Sequence, residues 1–171
     1  MTLVRDIRYN TLKLVNYALA PLDALFLQGD GIEWRNYPPA FIIGPPRSGT
    51  TLLYQLLISR YSVGYPNNFM GKFYRAPNAA MRLTSRTYEK KRSEIALTSE
   101  YGYTPGLDGP HEFGEFWNRW FPKGDHYVDE NFLSPGEIEK IRENVSSFIS
   151  YTGSSLLFKN VLHSMRIRTL L

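Results

Sequence analysis

The chain has 171 residues, 43% hydrophobic and 15% aromatic, with 20 Lys and Arg against 16 Asp and Glu for a net charge of +4. That balance excludes a disordered chain and is enough for one domain with a sizeable core. The absence of cysteine excludes disulfides, thiolate catalysis and cysteine-ligated metal, and three histidines leave little for a metal site. No run approaches the roughly 20 apolar residues that span a bilayer.

Residues 3–19 have a weakly amphipathic helical pattern, with Arg5, Arg8 and Lys13 near Leu12, Val15 and Leu19. Such a helix packs on its domain or touches a membrane surface; packing is favoured, and peripheral membrane contact is the other reading. Residues 28–39 predict a loop. The run AFIIG at 40–44 predicts a buried strand, and PPRSG leads it into a helix near Gly49 whose Leu52, Leu53, Leu56 and Leu57 predict the core-facing stripe. A strand that delivers Gly44 and Gly49 into a helix start makes a nest of backbone N–H groups, to which the helix dipole adds positive potential. Residues 44–51 therefore form an anion cradle. Their spacing approaches the nucleotide-binding pattern G-x-x-x-x-G-K-[ST], but Thr50 stands where the lysine belongs and the cation has moved forward to Arg47.

Residues 65–78 predict a connection and 81–97 a charged helical stretch. Lys72, Arg75, Arg82, Arg86, Lys90, Lys91 and Arg92 surround a single acid, Glu89, in this part of the chain. Steering of an anion is one reading, a solvated helix face the favoured one, and nothing resembles a nucleic-acid module. The loop 101–110, rich in glycine and proline, predicts an active-site loop or a plain connection. Phe113, Phe116, Trp117, Trp120 and Phe121 then fall on one helix face and predict core, with Glu115 and Arg119 an ion pair four apart. Glu112, in the first turn after the loop, is the carboxylate placed to reach a cleft. Ser134 to Glu137 is a capping box that opens a helix with Ile138, Ile141, Val145, Phe148 and Ile149 buried, and Gly153 can end it. Residues 156–158 predict a second buried strand.

Strand, helices, strand implies an α/β fold with a parallel sheet flanked by helices, and ligands on such sheets bind at the strands' carboxyl ends. The cradle follows one such end and Lys159 another. The stretch 164–171 is apolar and basic without a helix stop, which suggests an incomplete domain.

Pro46, Arg47, Ser48, Gly49, Thr50 and Thr51 match at every position the P-[KR]-S-G-T-T loop of the sulfotransferases, so the chain resembles that P-loop family. A second segment, LFKNVLH at 157–163, is similar to the strand and K-x-P-x-H segment of many members, with Val161 in place of the proline. The resemblance implies 3′-phosphoadenosine 5′-phosphosulfate as donor, no metal, and a division into an N-terminal helical segment, 1–38, and the N-terminal part of the sulfotransferase-like domain, 39–171. It implies that Arg47 neutralises the bridging and 5′-phosphate oxygens, that Ser48 to Thr51 donate to the 5′-phosphate, and that Lys159 contacts the sulfuryl group. A general base is expected in Glu112 or in His163, with Glu112 preferred. The family's 3′-phosphate ligands have no match here. The acceptor is left open among glycan, lipid, peptide and small metabolite, and the location expected is cytoplasmic. A nucleotide kinase or NTPase is the second reading, and a non-enzymatic anion-binding domain the third.

Overall fold

The computed structural model describes residues 2–28, 35–86, 88, 94–100, 102–123 and 127–170. Glu89, Lys90, Lys91 and Arg92 of the basic stretch, Tyr101, part of the loop 28–39 and Leu171 lie outside those residues, as do the side chains of Arg5 and Arg8.

The fold is α/β. Strand β1 (Ala40–Ile42) pairs in parallel with β2 (Leu157–Lys159), Ala40 opposite Leu157 and Ile42 opposite Lys159. A parallel pair needs a crossover, and the helices between the two strands supply it. On its other side β2 bonds to Gly64, whose N–H reaches Ser155 O at 2.9 Å and whose carbonyl accepts from Leu157 N at 2.8 Å. The middle position buries all three β2 residues, whereas β1 buries only Ile42. The expected buried strand 40–44 is thus shorter and one-sided.

Around this pair stand α1 (Thr2–Leu19), a 3-10 segment (Ala20–Phe26), α2 (Thr50–Arg60), α3 (Asn68–Lys72), α4 (Pro77–Ser85), α5 (Gly114–Trp117), α6 (Pro135–Thr152) and, after a 3-10 turn (Val161–Met165), α7 (Ile167–Leu170). The capping box opens α6: Ser134 N donates to Glu137 Oε2 at 2.9 Å and Glu137 N to Ser134 Oγ at 3.4 Å. Gly153, at φ +60°, ends it, and its apolar stripe buries Val145, Phe148 and Ile149. The aromatic run 113–121 packs into the core, with Trp120 half-buried, although only Gly114–Trp117 of it is helical. Phe113 stacks on Phe116 with centroids 4.4 Å apart, and Trp117 meets β2's Phe158 edge-on at 5.4 Å.

Helix α1 is held to the body by Asn16, whose Nδ2 donates to Lys72 O at 2.8 Å and whose Oδ1 accepts from Arg75 N at 3.1 Å. Its outer side leaves Ile7 and Leu14 exposed. Among the described residues no helix is long and apolar enough to cross a membrane.

Three expectations are corrected. In α2 the core side is Tyr54, Gln55 and Ile58, while Leu52, Leu53 and Leu56 stay 49%, 47% and 44% exposed. That helix is apolar nearly all round, so periodicity could not orient it. Polar tips decide: Tyr54 Oη donates to Leu157 O at 3.0 Å, and Gln55 Nε2 to Thr98 O at 2.9 Å. Of the charged helical stretch expected over 81–97, α4 covers the start and Tyr88 is again helical, but residues 95–99 run as a strap tied down by Gln55. Of the basic residues, Lys72, Arg82 and Arg86 are exposed, as a solvated face requires, while Arg75 is half-buried with its guanidinium 4.0 Å over the Tyr17 ring. Finally, α5 ends at Trp117, which removes the register for a Glu115–Arg119 pair. Glu115 accepts from Lys123 at 2.9 Å, and Arg119 lies over Trp120 at 4.7 Å.

Candidate active site

Beyond β1 the chain turns through Pro45 and Pro46, passes Arg47 at φ +66° and reaches Gly49 at φ +81°, the N-cap of α2. Two left-handed residues in a tight turn point the backbone inward, an arrangement that creates anion-binding concavities. Ser48 closes the turn on itself, its N–H and its Oγ both donating to Pro45 O, at 3.3 and 2.7 Å. No side chain caps α2, so its first-turn N–H groups are left to an external acceptor, and the helix dipole favours a negative one. Gly44 is needed for close approach: a Cβ there would stand 2.9 Å from Thr50 Cγ2 and 3.0 Å from Ser48 Oγ.

A cavity of about 510 Å³ opens over this turn, with Arg47, Gly49, Thr50, Thr51, Glu112 and Lys159 in its wall. Pro46, Leu52, Ser99, Gly102 and Val161 complete the lining. Lys159 is the last residue of β2 and its side chain is only 4% exposed. Its Nζ donates to Thr51 Oγ1 at 3.2 Å and forms an ion pair with Glu112 Oε1.

Glu112 lies before α5, not in its first turn, because Phe113 is the N-cap. The segment is bent by Phe113, held at φ +57°. Among the described residues, Arg47 and Phe113 are the non-glycine positions with positive φ, and both adjoin this cavity. Such conformations cost of order 1–3 kcal/mol and persist where the surroundings over-determine them. Here His111 Nδ1 accepts from Phe113 N at 2.9 Å, and Asn160 Nδ2 donates to Glu112 O at 3.2 Å. Burial pushes the His111 pKa down, partly offset by Glu112, which suits a neutral ring acting as acceptor.

The structure thus brings together Pro46, Arg47, Gly49, Thr50, Thr51, Glu112 and Lys159, turns Ser48's hydroxyl back onto the loop, and keeps His163 apart. His163 is fully buried, edge-on to Trp117 at 4.7 Å and to Phe41 at 5.5 Å. Burial first, and the nearby Arg166 charge second, lower its pKa to about 3. A histidine enclosed by aromatic rings has no path to a proton in the cavity. A helix through Glu112 would point its neighbour His111 elsewhere, but both precede the N-cap Phe113 and His111 supports the turn instead. Sequence reasoning missed Asn160 and Gln55; the only signal for Asn160 was its place beside Lys159, and none marked Gln55.

Two curated relatives match: the omega-hydroxy-beta-dihydromenaquinone-9 sulfotransferases Stf3 of Mycobacterium bovis and Mycobacterium tuberculosis, each 30% identical over 151 residues, 78% of this chain. The chain belongs to the sulfotransferase family. It spans 38% of the length of these sulfotransferases. No family model matches the sequence, and no solved structure does either.

Proposed function

We propose that this chain carries the donor-binding and sulfuryl-transfer end of a sulfotransferase that uses 3′-phosphoadenosine 5′-phosphosulfate. One observation carries the reading: the uncapped start of α2 and the buried Lys159 face the same cavity from two adjacent strand ends, with a carboxylate beside the lysine. In this P-loop-type arrangement the first-turn N–H groups of α2, with Thr50 and Thr51, receive the 5′-phosphate, and Arg47 supplies the countercharge at the bridging oxygen. Lys159 stands opposite the sulfuryl oxygens. The acceptor hydroxyl attacks sulfur in line; its S–O bond forms as the bond to the bridging oxygen breaks, and adenosine 3′,5′-bisphosphate leaves. Glu112 takes the acceptor proton. As in phosphoryl transfer, the protein's work is alignment and charge stabilisation, and it needs no metal.

Glu112 is also the ion-pair partner of Lys159. A donor that draws Lys159 onto its sulfuryl group releases Glu112 to the acceptor, so base activation follows donor binding.

The acceptor is taken to be a hydroxylated lipid. The named relatives sulfate an omega-hydroxy dihydromenaquinone, and Ile7, Leu14, Leu22 and Leu25 leave an apolar surface on the N-terminal segment that suits work at a membrane surface. Competition tests the donor: the full chain should hold adenosine 3′,5′-bisphosphate more tightly than ATP with magnesium. The opposite order would favour the nucleotide kinase reading, and indifference an anion-binding domain.

A further inference from the structure

Helix α1 has two unlike sides. Asn16, fully buried, turns inward to Lys72 O and Arg75 N. With about 3.6 residues per turn, the side opposite Asn16 carries Ile7, Thr11, Leu14 and Ala18. All four are exposed, Leu14 by 71%. Thr11 adds no free donor to that side, since its hydroxyl returns to Ile7 O at 2.8 Å. The 3-10 segment follows without a break, Leu19 being helical at φ −82° and ψ −22°. It buries Asp23 and leaves Leu22 exposed and Leu25 76% exposed. Apolar side chains thus stay outside along both elements.

Cations flank these elements. Lys13 and Lys72 are exposed, and the Lys72 carbonyl accepts from Asn16, which sets that residue beside α1. Arg75 lies over the Tyr17 ring, with Nη2 donating to Tyr17 Oη at 3.2 Å, and Arg82 stands 5.4 Å over Phe26. Residues 2–28 and 68–86 hold seven Lys and Arg against two acids, Asp6 and Asp23. Asp23 is buried, its Oδ1 accepting from Asn78 N at 2.8 Å and Ala79 N at 3.0 Å. The charge left facing solvent around the apolar side is therefore mainly positive.

We propose that this face docks on an anionic lipid bilayer, with α1 and the 3-10 segment in the plane of the interface. Ile7, Leu14, Leu22 and Leu25 enter the acyl boundary, and Lys13, Lys72 and Arg82 meet the headgroup phosphates. Apolar area and attraction to anionic lipid both hold such a helix at a bilayer surface, and long basic side chains can lie along the interface with their charges in water. The purpose of the docking rests on the reading of a lipid acceptor, which an enzyme held at the interface meets without drawing it into water. Charge and shape disfavour other occupants. A second copy docked by the same face would set like charges against each other, and a single helix with projecting leucines offers no groove to a peptide.

The test is co-sedimentation of the full chain with vesicles. Partitioning into phosphatidylcholine vesicles that contain about one third phosphatidylglycerol should exceed that into phosphatidylcholine alone by about tenfold, and should fall as salt rises. Leu14→Gln combined with Leu25→Gln should cut it about tenfold, whereas Leu56→Gln, an exposed leucine of α2, should not. Lys13→Gln combined with Lys72→Gln should weaken binding to the anionic vesicles alone. Melting temperatures of the variants, all at exposed positions, serve as folding controls. No partitioning, equal partitioning into both vesicles, or indifference to the paired leucine change would overturn the proposal. So would a dimer that the leucine pair abolishes in the absence of vesicle binding, which would give the face to a second copy. Sulfuryl transfer to a long-chain primary alcohol dissolved in the anionic vesicles reports the acceptor reading separately: binding without transfer would refute that reading and leave the docking face standing.

Discussion

Lys159 Nζ lies 3.2 Å from Thr51 Oγ1, joining the end of β2 to the first turn of α2 across 108 residues of sequence. The contact fixes where a cation stands relative to an anion cradle. Parallel pairing of β1 and β2, with Ile42 opposite Lys159, brings both strand ends to one edge. The ion pair to Glu112 holds the lysine at that edge.

Removing the carboxylate separates its two roles. Glu112→Gln should lower turnover by about 10²–10⁴-fold, the usual worth of a general base. The same change frees Lys159, so affinity for the phosphosulfate donor should hold or rise while affinity for adenosine 3′,5′-bisphosphate, which has no sulfuryl group, stays constant. Initial rates with labelled donor and equilibrium binding of both nucleotides measure this. Turnover within a few fold of wild type would remove Glu112 from the chemistry.

For the cradle, Arg47→Ala should weaken the phosphosulfate donor by about 10–100-fold, the range expected for a charge-assisted contact. Thr50→Lys, which restores the nucleotide-binding pattern, should not bring ATP hydrolysis with it. Competitive binding and a phosphate-release assay read the two changes. Unaltered donor affinity in Arg47→Ala would place the phosphates elsewhere.

The parts of this geometry that the sequence revealed are those encoded by neighbouring residues. Pro46 to Thr51 form a local turn that Ser48 closes on Pro45 O, and Ser134 to Glu137 cap a helix with their own side chains. Lys159 could be placed because a short apolar run has an unambiguous carboxyl end. What sequence did not reveal depends on distant partners. The side of α2 that meets the core is chosen by Leu157 O and Thr98 O, 103 and 43 residues away from Tyr54 and Gln55. The left-handed Phe113 contradicts the helical spacing of its own aromatic stripe, because a nearby imidazole takes its N–H.

Gly71 tests how Glu112 is positioned without touching it. A Cβ on Gly71 would lie 2.5 to 2.7 Å from three atoms of the His111 ring, and His111 holds Phe113 N. Gly71→Ala should displace the ring, loosen the strained turn and lower kcat while leaving adenosine 3′,5′-bisphosphate affinity intact. The packing change should cost about 1–3 kcal/mol of stability by urea unfolding. Normal kcat in a folded Gly71→Ala protein would show that the turn keeps its shape without His111.

The buried imidazole of His163 makes stability depend on acid. In the folded chain its pKa is lowered to about 3, by burial and then by Arg166, against an ordinary value of 6.5. Between those values the unfolded chain binds a proton that the folded one refuses, so stability falls as pH drops through this window and the contribution is complete above pH 6.5. Each pH unit of the window costs on the order of 1 kcal/mol, so the loss by pH 4.5 is of order 2–3 kcal/mol. The ring lies among Trp117 and Phe41, where a phenyl group of similar size can take its place. His163→Phe should therefore flatten the decline while changing stability little at pH 7.5, and donor binding should persist because the residue is outside the cavity. Urea midpoints of both proteins at pH 7.5 and 4.5 measure the effect. Equal loss in the two would assign the acid sensitivity to other groups and place His163 in contact with solvent protons.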